Sequence, residues 1–349
     1  MKTNFLKSLL SASGLSGFET PVTELIREKW EPLTDELSLS PLGSLHGIKH
    51  GSGKSHSLMI ATHMDAIGLI VNQIDGEFLH ITNLGGIDIR VLPGQAVNVH
   101  AESGVLPGII AQPPAHLLPE GAGKGAVALE HLLVDVGLSA RQVARKIKIG
   151  DTVSFATEPT EMSGGLLAGH SLDNRASVAA LTLCLEELQS REHIWDVQAV
   201  ATVQEETGLK GAKTSAFQIR PDLAIAVDVT FAKGPGASNW ETFELGSGPT
   251  IGLGAVIHPF LHEQFKELAE KLEIPYSVEI LPARSGTDGD DLQITAEGIP
   301  TIVISIPIRY MHTPVEVVAT KDIQRTGRLL TEFITMLDDN FLEKIVWDD

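Results

Sequence analysis

The chain has 349 residues, 43% of them hydrophobic, which is enough for a sizeable core and predicts two domains. Its 26 Lys and Arg residues stand against 45 Asp and Glu residues, and the net charge of -19 argues against nucleic acid and anionic membranes as partners. The single cysteine, Cys184, excludes an intramolecular disulfide and fits a reducing compartment. Because no apolar run reaches the roughly 18 residues that a membrane span needs, we predict a soluble, cytoplasmic protein.

The chain begins with an α/β pattern. An amphipathic helix is expected within 1–10, and a second helix follows Thr20 and Pro21, which suit an N-cap and the first helical position. A short apolar run over 58–61 predicts a buried strand that ends beside His63.

Beyond this strand the pattern changes to short alternating runs separated by glycine and proline, with one helix predicted over 139–146. We interpret this part as a small β-barrel inserted into a larger domain. The predicted boundaries are 68–162 for the inserted barrel, and 1–67 with 163–349 for the larger domain. The strands expected in the barrel include 68–72, 78–81, 96–99 and 108–111.

The α/β pattern then resumes. Apolar stripes at helical spacing alternate with short β-branched runs, which predicts a mostly parallel sheet flanked on both faces by helices. The expected elements are a helix after Asp173, a strand up to Gln204, a helix over 209–217, a strand over 223–227, a helix over 261–272, a strand over 302–306 and a helix over 320–337.

Several of these strands and turns lead into a histidine or a carboxylate, and ligands of open α/β sheets bind beyond the carboxyl ends of the strands. Imidazoles and carboxylates without cysteine suit Zn²⁺, Co²⁺ or Mn²⁺. Each residue alone is explained as well by an ordinary strand end, but their shared placement predicts a site for two metals with a further carboxylate as general base. The residues are His63, Asp65, Asp173, Glu205, Glu206, Asp228 and His312.

These residues lie in motifs that follow one another along nearly the whole chain. Together they resemble the M42 aminopeptidases, the group of glutamyl, leucyl and tetrahedral aminopeptidases. The matching segments are SGFE at 16–19, HMD at 63–65, GD at 150–151, LDNR at 172–175, VQEETGLKGA at 203–212, VDV at 227–229, GTD at 286–288 and PIRYMH at 307–312.

The resemblance implies a set of metal ligands. Asp173 would bridge two divalent ions per subunit, Zn²⁺, Co²⁺ or Mn²⁺. His63 and Asp228 would complete one metal site, and Glu206 and His312 the other.

The resemblance also implies the remaining roles. Glu205 would be the general base toward a water that bridges the metals, and Asp65 would orient His63, since ligating imidazoles usually donate their other N–H to such a partner. The fold would be that of the cocatalytic zinc peptidases with a PDZ-like inserted barrel. Dimers would assemble into a dodecamer that acts on short peptides.

Four further residues are candidates for the substrate pocket or for support of the ligands. Thr287 and Asp288 lie in a loop that lacks the lysine of a phosphate-binding loop, and a plain turn explains them about as well. Arg309 and Tyr310 are close in sequence to His312, although structural roles are also open to them.

The predicted activity is that of a metal-dependent aminopeptidase. A related deacylase or carboxypeptidase would use similar ligands. An endoglucanase-type glycoside hydrolase is disfavoured, because it usually needs aromatic sugar platforms and the aromatic content is 5%. A non-catalytic oligomeric scaffold is disfavoured by the complete set of ligands.

Overall fold

A computed structural model describes residues 3–53, 56–118, 125–237 and 241–346. The helices within these ranges are α1 (Asn4–Ser11), α2 (Thr20–Trp30), α3 (Ala140–Lys146), α4 (Leu172–Leu188), α5 (Lys210–Ile219), α6 (Pro259–Lys271), α7 (Gly289–Gln293) and α8 (Thr320–Met336). The strands are β1 (Glu36–Leu39), β2 (Leu45–Lys49), β3 (Ser57–His63), β4 (Gly68–Asp75), β5 (Phe78–Leu84), β6 (Ala96–Ala101), β7 (Gly104–Ala111), β8 (Leu133–Asp135), β9 (Thr152–Phe155), β10 (Thr160–Met162), β11 (Leu166–Gly169), β12 (Asp196–Thr202), β13 (Leu223–Phe231), β14 (Thr250–Gly254), β15 (Ser277–Leu281), β16 (Thr301–Arg309) and β17 (Glu316–Ala319).

The larger sheet has the order β1-β2-β12-β3-β13-β16-β17-β11-β10, and β14 joins it through β16 and itself pairs with β15. The four central strands, β12, β3, β13 and β16, are parallel. Strand pairs toward both ends of this order are antiparallel. Parallel neighbours need a long crossover, whereas β10 and β11 are joined by only 163–165 and pair as a hairpin. The predicted α/β class is confirmed, in a mixed sheet whose parallel pairs lie at its centre and between β14 and β15.

The central strands are covered on both faces. Consecutive side chains of a strand point to opposite faces, and every residue of β13 except Phe231 is buried. Helices supply the cover, and the rings of Phe265 on α6 and Phe333 on α8 stack with their centroids 4.2 Å apart. The site-bearing strands therefore have a rigid, dry support.

A second core lies inside a closed barrel of six strands in the order β4-β5-β8-β7-β6-β9. Its interior is filled by alternate apolar side chains such as Leu69, Val71, Val97 and Val99. The inserted barrel predicted from the sequence is confirmed. Strand β10 pairs with β11 of the larger sheet, and the domain boundaries given above stay a prediction.

Several strands differ in extent from their predictions. The strand expected to reach Gln204 ends at Thr202, and β16 is longer than the predicted 302–306. The run over 223–227 was expected to end at Asp228, but β13 continues to Phe231 because it stays paired with β16 as far as Ile308. Asp228 is therefore held inside a strand.

Across the described part of the chain, none of the helices is long and apolar enough to cross a membrane.

Candidate active site

Asp173 lies at the centre of the predicted ligands, just inside the first turn of α4. Its two carboxylate oxygens face different imidazoles. Oδ1 lies 3.1 Å from Nε2 of His63, at the end of β3, and Oδ2 lies 3.3 Å from Nε2 of His312, in the loop after β16. One carboxylate therefore spans two adjoining groups of ligands.

A further carboxylate completes each group. Asp228 Oδ1 lies 3.7 Å from His63 Nε2, and Glu206 Oε2 lies 3.7 Å from His312 Nε2. Within each resulting triad, one donor atom per residue lies within 4.8 Å of the others, and Asp173 belongs to both triads. The structure thus brings all five predicted ligands together.

The electrostatics of this cluster fit divalent cations. Burial, and after it the charge of Asp173, raises the pKa of Glu206 well above its ordinary value. Burial is also the largest cause of the raised pKa of Asp228. Among the described residues, Glu206 Oε1 is buried without a hydrogen-bond partner. Buried acids of this kind are stabilised by a cation, and the imidazole and carboxylate donors suit zinc, cobalt or manganese.

The same carboxylates favour the charged form of the His63 imidazole. Burial opposes its charged form, but the charge of Glu205 and contacts with Asp173 and Asp65 raise its pKa well above the ordinary value. Burial also opposes ionisation of Asp173, yet His312 and His63 hold the pKa of that carboxyl well below its usual range. A proton on His63 thus provides positive charge at this cluster that bound cations would otherwise supply.

Glu205 lies beside the two triads, with Oε2 3.8 Å from His63 Nε2. Burial, with the charges of Asp228 and Asp288 adding to it, raises its pKa to about 9. Its carboxylate also lies within 4.8 Å of donors on His63 and Glu206. This position is close enough for a metal ligand or for a base that acts on a molecule held between the triads.

Tight turns present these side chains. Residues other than glycine take positive φ in all three ligand-bearing loops, a conformation that surrounding structure must enforce. The residues are Ser171 at 68°, Gln204 at 55°, Leu209 at 55°, Tyr310 at 60° and His312 at 62°. The turn after Glu206 also needs Gly211, because a Cβ there would lie 2.4 Å from the carbonyl oxygen of Val203.

Asp65 supports the turn that carries the two glutamates. Its Oδ1 accepts a hydrogen bond from the backbone N–H of Glu205 at 3.0 Å, and its Oδ2 accepts one from Glu206 at 3.2 Å. Nδ1 of His63 lies 3.2 Å from the carbonyl oxygen of Asp65 and 3.6 Å from Oδ1. The predicted contact with His63 is thus made in part by the backbone, while the carboxylate also fixes the glutamate turn.

Two supporting carboxylates were not found by sequence reasoning. Glu19 Oε1 accepts from the backbone N–H groups of Gly17 at 2.6 Å and Gln204 at 3.1 Å. Glu316 is 1% exposed and accepts from the backbone N–H groups of Asp173 and His312. The only sequence signal for Glu19 was its place in the SGFE segment, and Glu316 gave none because a charged residue at a strand start is usually exposed.

The four remaining predicted residues lie in three places. Thr287 is buried and lines the cavity over the ligands. Asp288 is buried behind Thr202, whose hydroxyl donates to it at 2.6 Å, and burial raises its pKa to about 6. Arg309 Nε donates to the Lys233 carbonyl at 2.6 Å, and Arg309 and Tyr310 line a neighbouring cavity.

Two adjoining cavities open at this edge of the sheet. The smaller, of about 470 Å³, is lined by all five predicted ligands and also by Glu205 and Thr287. The larger, of about 1180 Å³, shares part of its lining with the smaller one. The shared residues are Thr230, Phe231, Glu279 and Met311.

The sheet has a parallel centre, and its edge presents two triads of predicted ligands, which share Asp173, to an open cavity. This arrangement is that of a metallohydrolase. Comparison with known proteins identifies the family within this class. The M42 glutamyl aminopeptidase family matches residues 43–329, and the chain belongs to that family. It is therefore an aminopeptidase, an enzyme that hydrolyses peptide bonds, and the predicted family is confirmed.

Individual relatives agree with this placement. The lysyl aminopeptidase of Pyrococcus furiosus is 37% identical over 93% of this chain and 94% of its own. The TET aminopeptidase of the marine sediment archaeon Thaumarchaeota archaeon SCGC AB-539-E09 superposes with a TM-score of 0.93 at 31% identity, covering 99% of this chain and 98% of its own. A solved dodecamer, PhTET1-12s, gives a TM-score of 0.85 at 30% identity, covering 97% of this chain and 100% of its own.

Proposed function

We propose that this protein is a dinuclear metal-dependent aminopeptidase that removes N-terminal residues from short peptides, with Glu205 as general base. The observation that carries the proposal is the position of Asp173, whose two oxygens face His63 on one side and His312 on the other. A carboxylate placed in this way suits a bridge between two ions. Membership of an aminopeptidase family supplies the reaction class.

The metal-binding roles follow from the two triads. Asp173 would be shared, His63 and Asp228 would hold one ion, and Glu206 and His312 the other. Two divalent cations bound there would polarise the scissile carbonyl and lower the pKa of the attacking water toward neutrality. Zn²⁺, Co²⁺ and Mn²⁺ all accept this mixture of imidazole and carboxylate ligands.

Glu205 would move the proton. Its half-enclosed carboxylate lines the cavity beside the triads, close enough to accept a proton from a molecule held between them. It would accept a proton from the attacking water and later donate that proton to the leaving amine. The carboxylates that line this cavity favour a substrate with a free α-ammonium group, because that group is positively charged.

We also propose that the enzyme works in the cytoplasm as a homo-oligomer, in which dimers assemble into a dodecamer. The solved dodecamer PhTET1-12s supports the assembly. Large apolar side chains of the barrel are exposed in the monomer, as expected of a surface that another subunit covers. They include Val105, Ile109 and Ile149. Light scattering of the purified protein would measure the mass.

The test of the activity is a panel of aminoacyl-p-nitroanilides, with N-acetylated versions and carboxymethylcellulose as controls. It would be run on chelator-treated enzyme and again after Zn²⁺, Co²⁺ or Mn²⁺ is added back. We expect hydrolysis only of the substrates with a free amine, and only after metal is restored. Cleavage of acylated substrates would instead indicate a deacylase, and cleavage of cellulose a glycoside hydrolase.

A further inference from the structure

Glu279 is a charged side chain of the site that neither the ligand triads nor the proposed proton transfer uses. Its Oε1 accepts a hydrogen bond from Thr230 Oγ1, and its Oε2 accepts one from Thr250 Oγ1, both at 2.6 Å. The two threonines are buried, on β13 and β14, and Glu279 itself is half-buried on β15. The carboxylate is thus fixed in position, while each oxygen keeps a further lone pair for a ligand.

Glu279 lines the same cavity as the ligand triads. Thr230 lies two residues beyond Asp228 on β13, so both side chains point to the same face of the sheet, about 7 Å apart along the strand. Asp228, Thr230 and Glu279 all line the smaller cavity. A substrate held by its α-amine at the triads can therefore direct the side chain of its first residue toward Glu279.

The smaller cavity also has apolar side chains in its wall. Leu281 and Val303 are buried, and they line the smaller cavity together with Met311 and Phe231. An apolar wall that ends in a carboxylate complements a side chain with an aliphatic stem and a positive end. Lysine has this form, with a four-carbon stem and an ammonium group, and arginine has it with a guanidinium group.

An arginine of the same cavity would favour the opposite choice. Arg284 lines it from the loop after β15, but this side chain is exposed. Solvent and salt screen an exposed charge much more than a partly buried one. Glu279 is therefore better placed than Arg284 to decide which side chain the cavity accepts.

On the basis of the aminopeptidase function proposed above, we propose that Glu279 recognises the side chain of a basic N-terminal residue. The enzyme then prefers peptides that begin with lysine or arginine. Glu279 is a specificity-determining residue in this proposal, and it takes no part in the proton transfer.

The test compares lysyl- and norleucyl-p-nitroanilide on the metal-loaded full-length enzyme, because norleucine has the same stem without the ammonium group. We expect kcat/KM to favour the lysyl substrate by about 10- to 100-fold, the range for a hydrogen bond to a charged partner. In Glu279→Gln, which keeps the size and the contacts to both threonines, the ratio falls to near unity. Glu241→Gln removes the same charge from the wall of the larger cavity only, and keeps the wild-type ratio.

A binding measurement checks the same contact without turnover. Free L-lysine should inhibit more strongly than L-norleucine, and Glu279→Gln should remove the difference in their inhibition constants. Thermal unfolding would establish that the variant is folded.

The outcomes separate this inference from the proposed function. Hydrolysis of norleucyl and lysyl substrates with equal kcat/KM would overturn the inference and leave the aminopeptidase function intact. A preference for glutamyl substrates would overturn it in favour of Arg284. A wild-type ratio in Glu279→Gln would show that another group recognises the ammonium. Failure to cleave any aminoacyl substrate would overturn both proposals.

Discussion

Glu316 Oε2 accepts a hydrogen bond from the backbone N–H of Asp173 at 3.1 Å, although the two residues are 143 positions apart in the chain. The other oxygen of Glu316 accepts from the backbone N–H of His312 at 3.0 Å. One buried carboxylate thereby joins the two segments that carry Asp173 and His312. Asp65 does the same for the turn that carries Glu205 and Glu206.

Replacing Glu316 should therefore loosen the metal site. In Glu316→Gln the amide can accept from only one of the two N–H groups with its oxygen, and its NH₂ group faces the other donor. We expect metal affinity to fall by about 10- to 100-fold, as is typical of residues that orient ligands. Equilibrium dialysis followed by metal analysis would measure it.

Asp322 supplies a matched control for this variant. It is another fully buried carboxylate that accepts from two backbone N–H groups, those of Gly246 at 2.5 Å and Gly248 at 2.8 Å, outside the ligand-bearing loops. Asp322→Asn should lower the melting temperature without changing metal affinity. Equal losses of metal affinity in both variants would contradict a positioning role for Glu316.

The variant Glu205→Gln tests whether Glu205 acts as a base or as a metal ligand. A glutamine keeps the size of the side chain but cannot accept the proton, so we expect kcat to fall by about 100- to 10,000-fold while bound metal stays at the wild-type level. Steady-state kinetics and metal analysis of one preparation would show both. A loss of metal in proportion to the loss of activity would instead make Glu205 a ligand.

Metal content should distinguish the shared ligand from the outer ones. Asp173→Asn removes a donor from both triads, so we expect it to release both ions, whereas His312→Ala removes a donor from one triad only and should keep about one ion per subunit. His80 lies in the barrel, and His80→Ala serves as a control for histidine loss. Equal metal content in the Asp173 and His312 variants would argue against a bridging role.

The chelator-treated protein should become less stable as pH rises. The pKa of Glu205 is raised from 4.5 to about 9 in the folded state, so the folded protein holds a proton that the unfolded chain has lost. This contribution to the free energy of unfolding is complete below about pH 4.5 and is lost as pH rises toward 9. The raised pKa of His63 has the same sign.

Thermal unfolding between about pH 5 and pH 9 would measure this decline, and Glu205→Gln, which lacks the titrating group, should decline less steeply. A melting temperature of the chelator-treated protein that rose through this interval would contradict the protonation pattern. The decline should shrink when divalent metal is restored, because bound cations favour the ionised carboxylates.

The sequence by itself determined the class of the fold, and it predicted the residues that the structure brings together in the candidate site. Local patterns were sufficient, because a buried β-branched run such as 223–227 and an apolar helical stripe such as 261–272 are recorded in neighbouring residues. The barrel was predictable for the same reason, from alternation over short strands. The clustering of His63, Glu206 and His312 was predictable because parallel strands place their carboxyl ends at one edge of the sheet, and their roles as ligands stay a prediction.

Only the tertiary structure decided how these residues act on one another. The partners of Glu316 and Glu279 come from segments far away in the chain, and no local pattern records which backbone N–H or hydroxyl a carboxylate will meet. Burial, which raises the pKa of Glu205, is likewise a property of the assembled cavity. The extra length of β13 beyond Asp228 depends on its pairing with β16, because strand ends are set by the neighbouring strand as well as by the residues themselves.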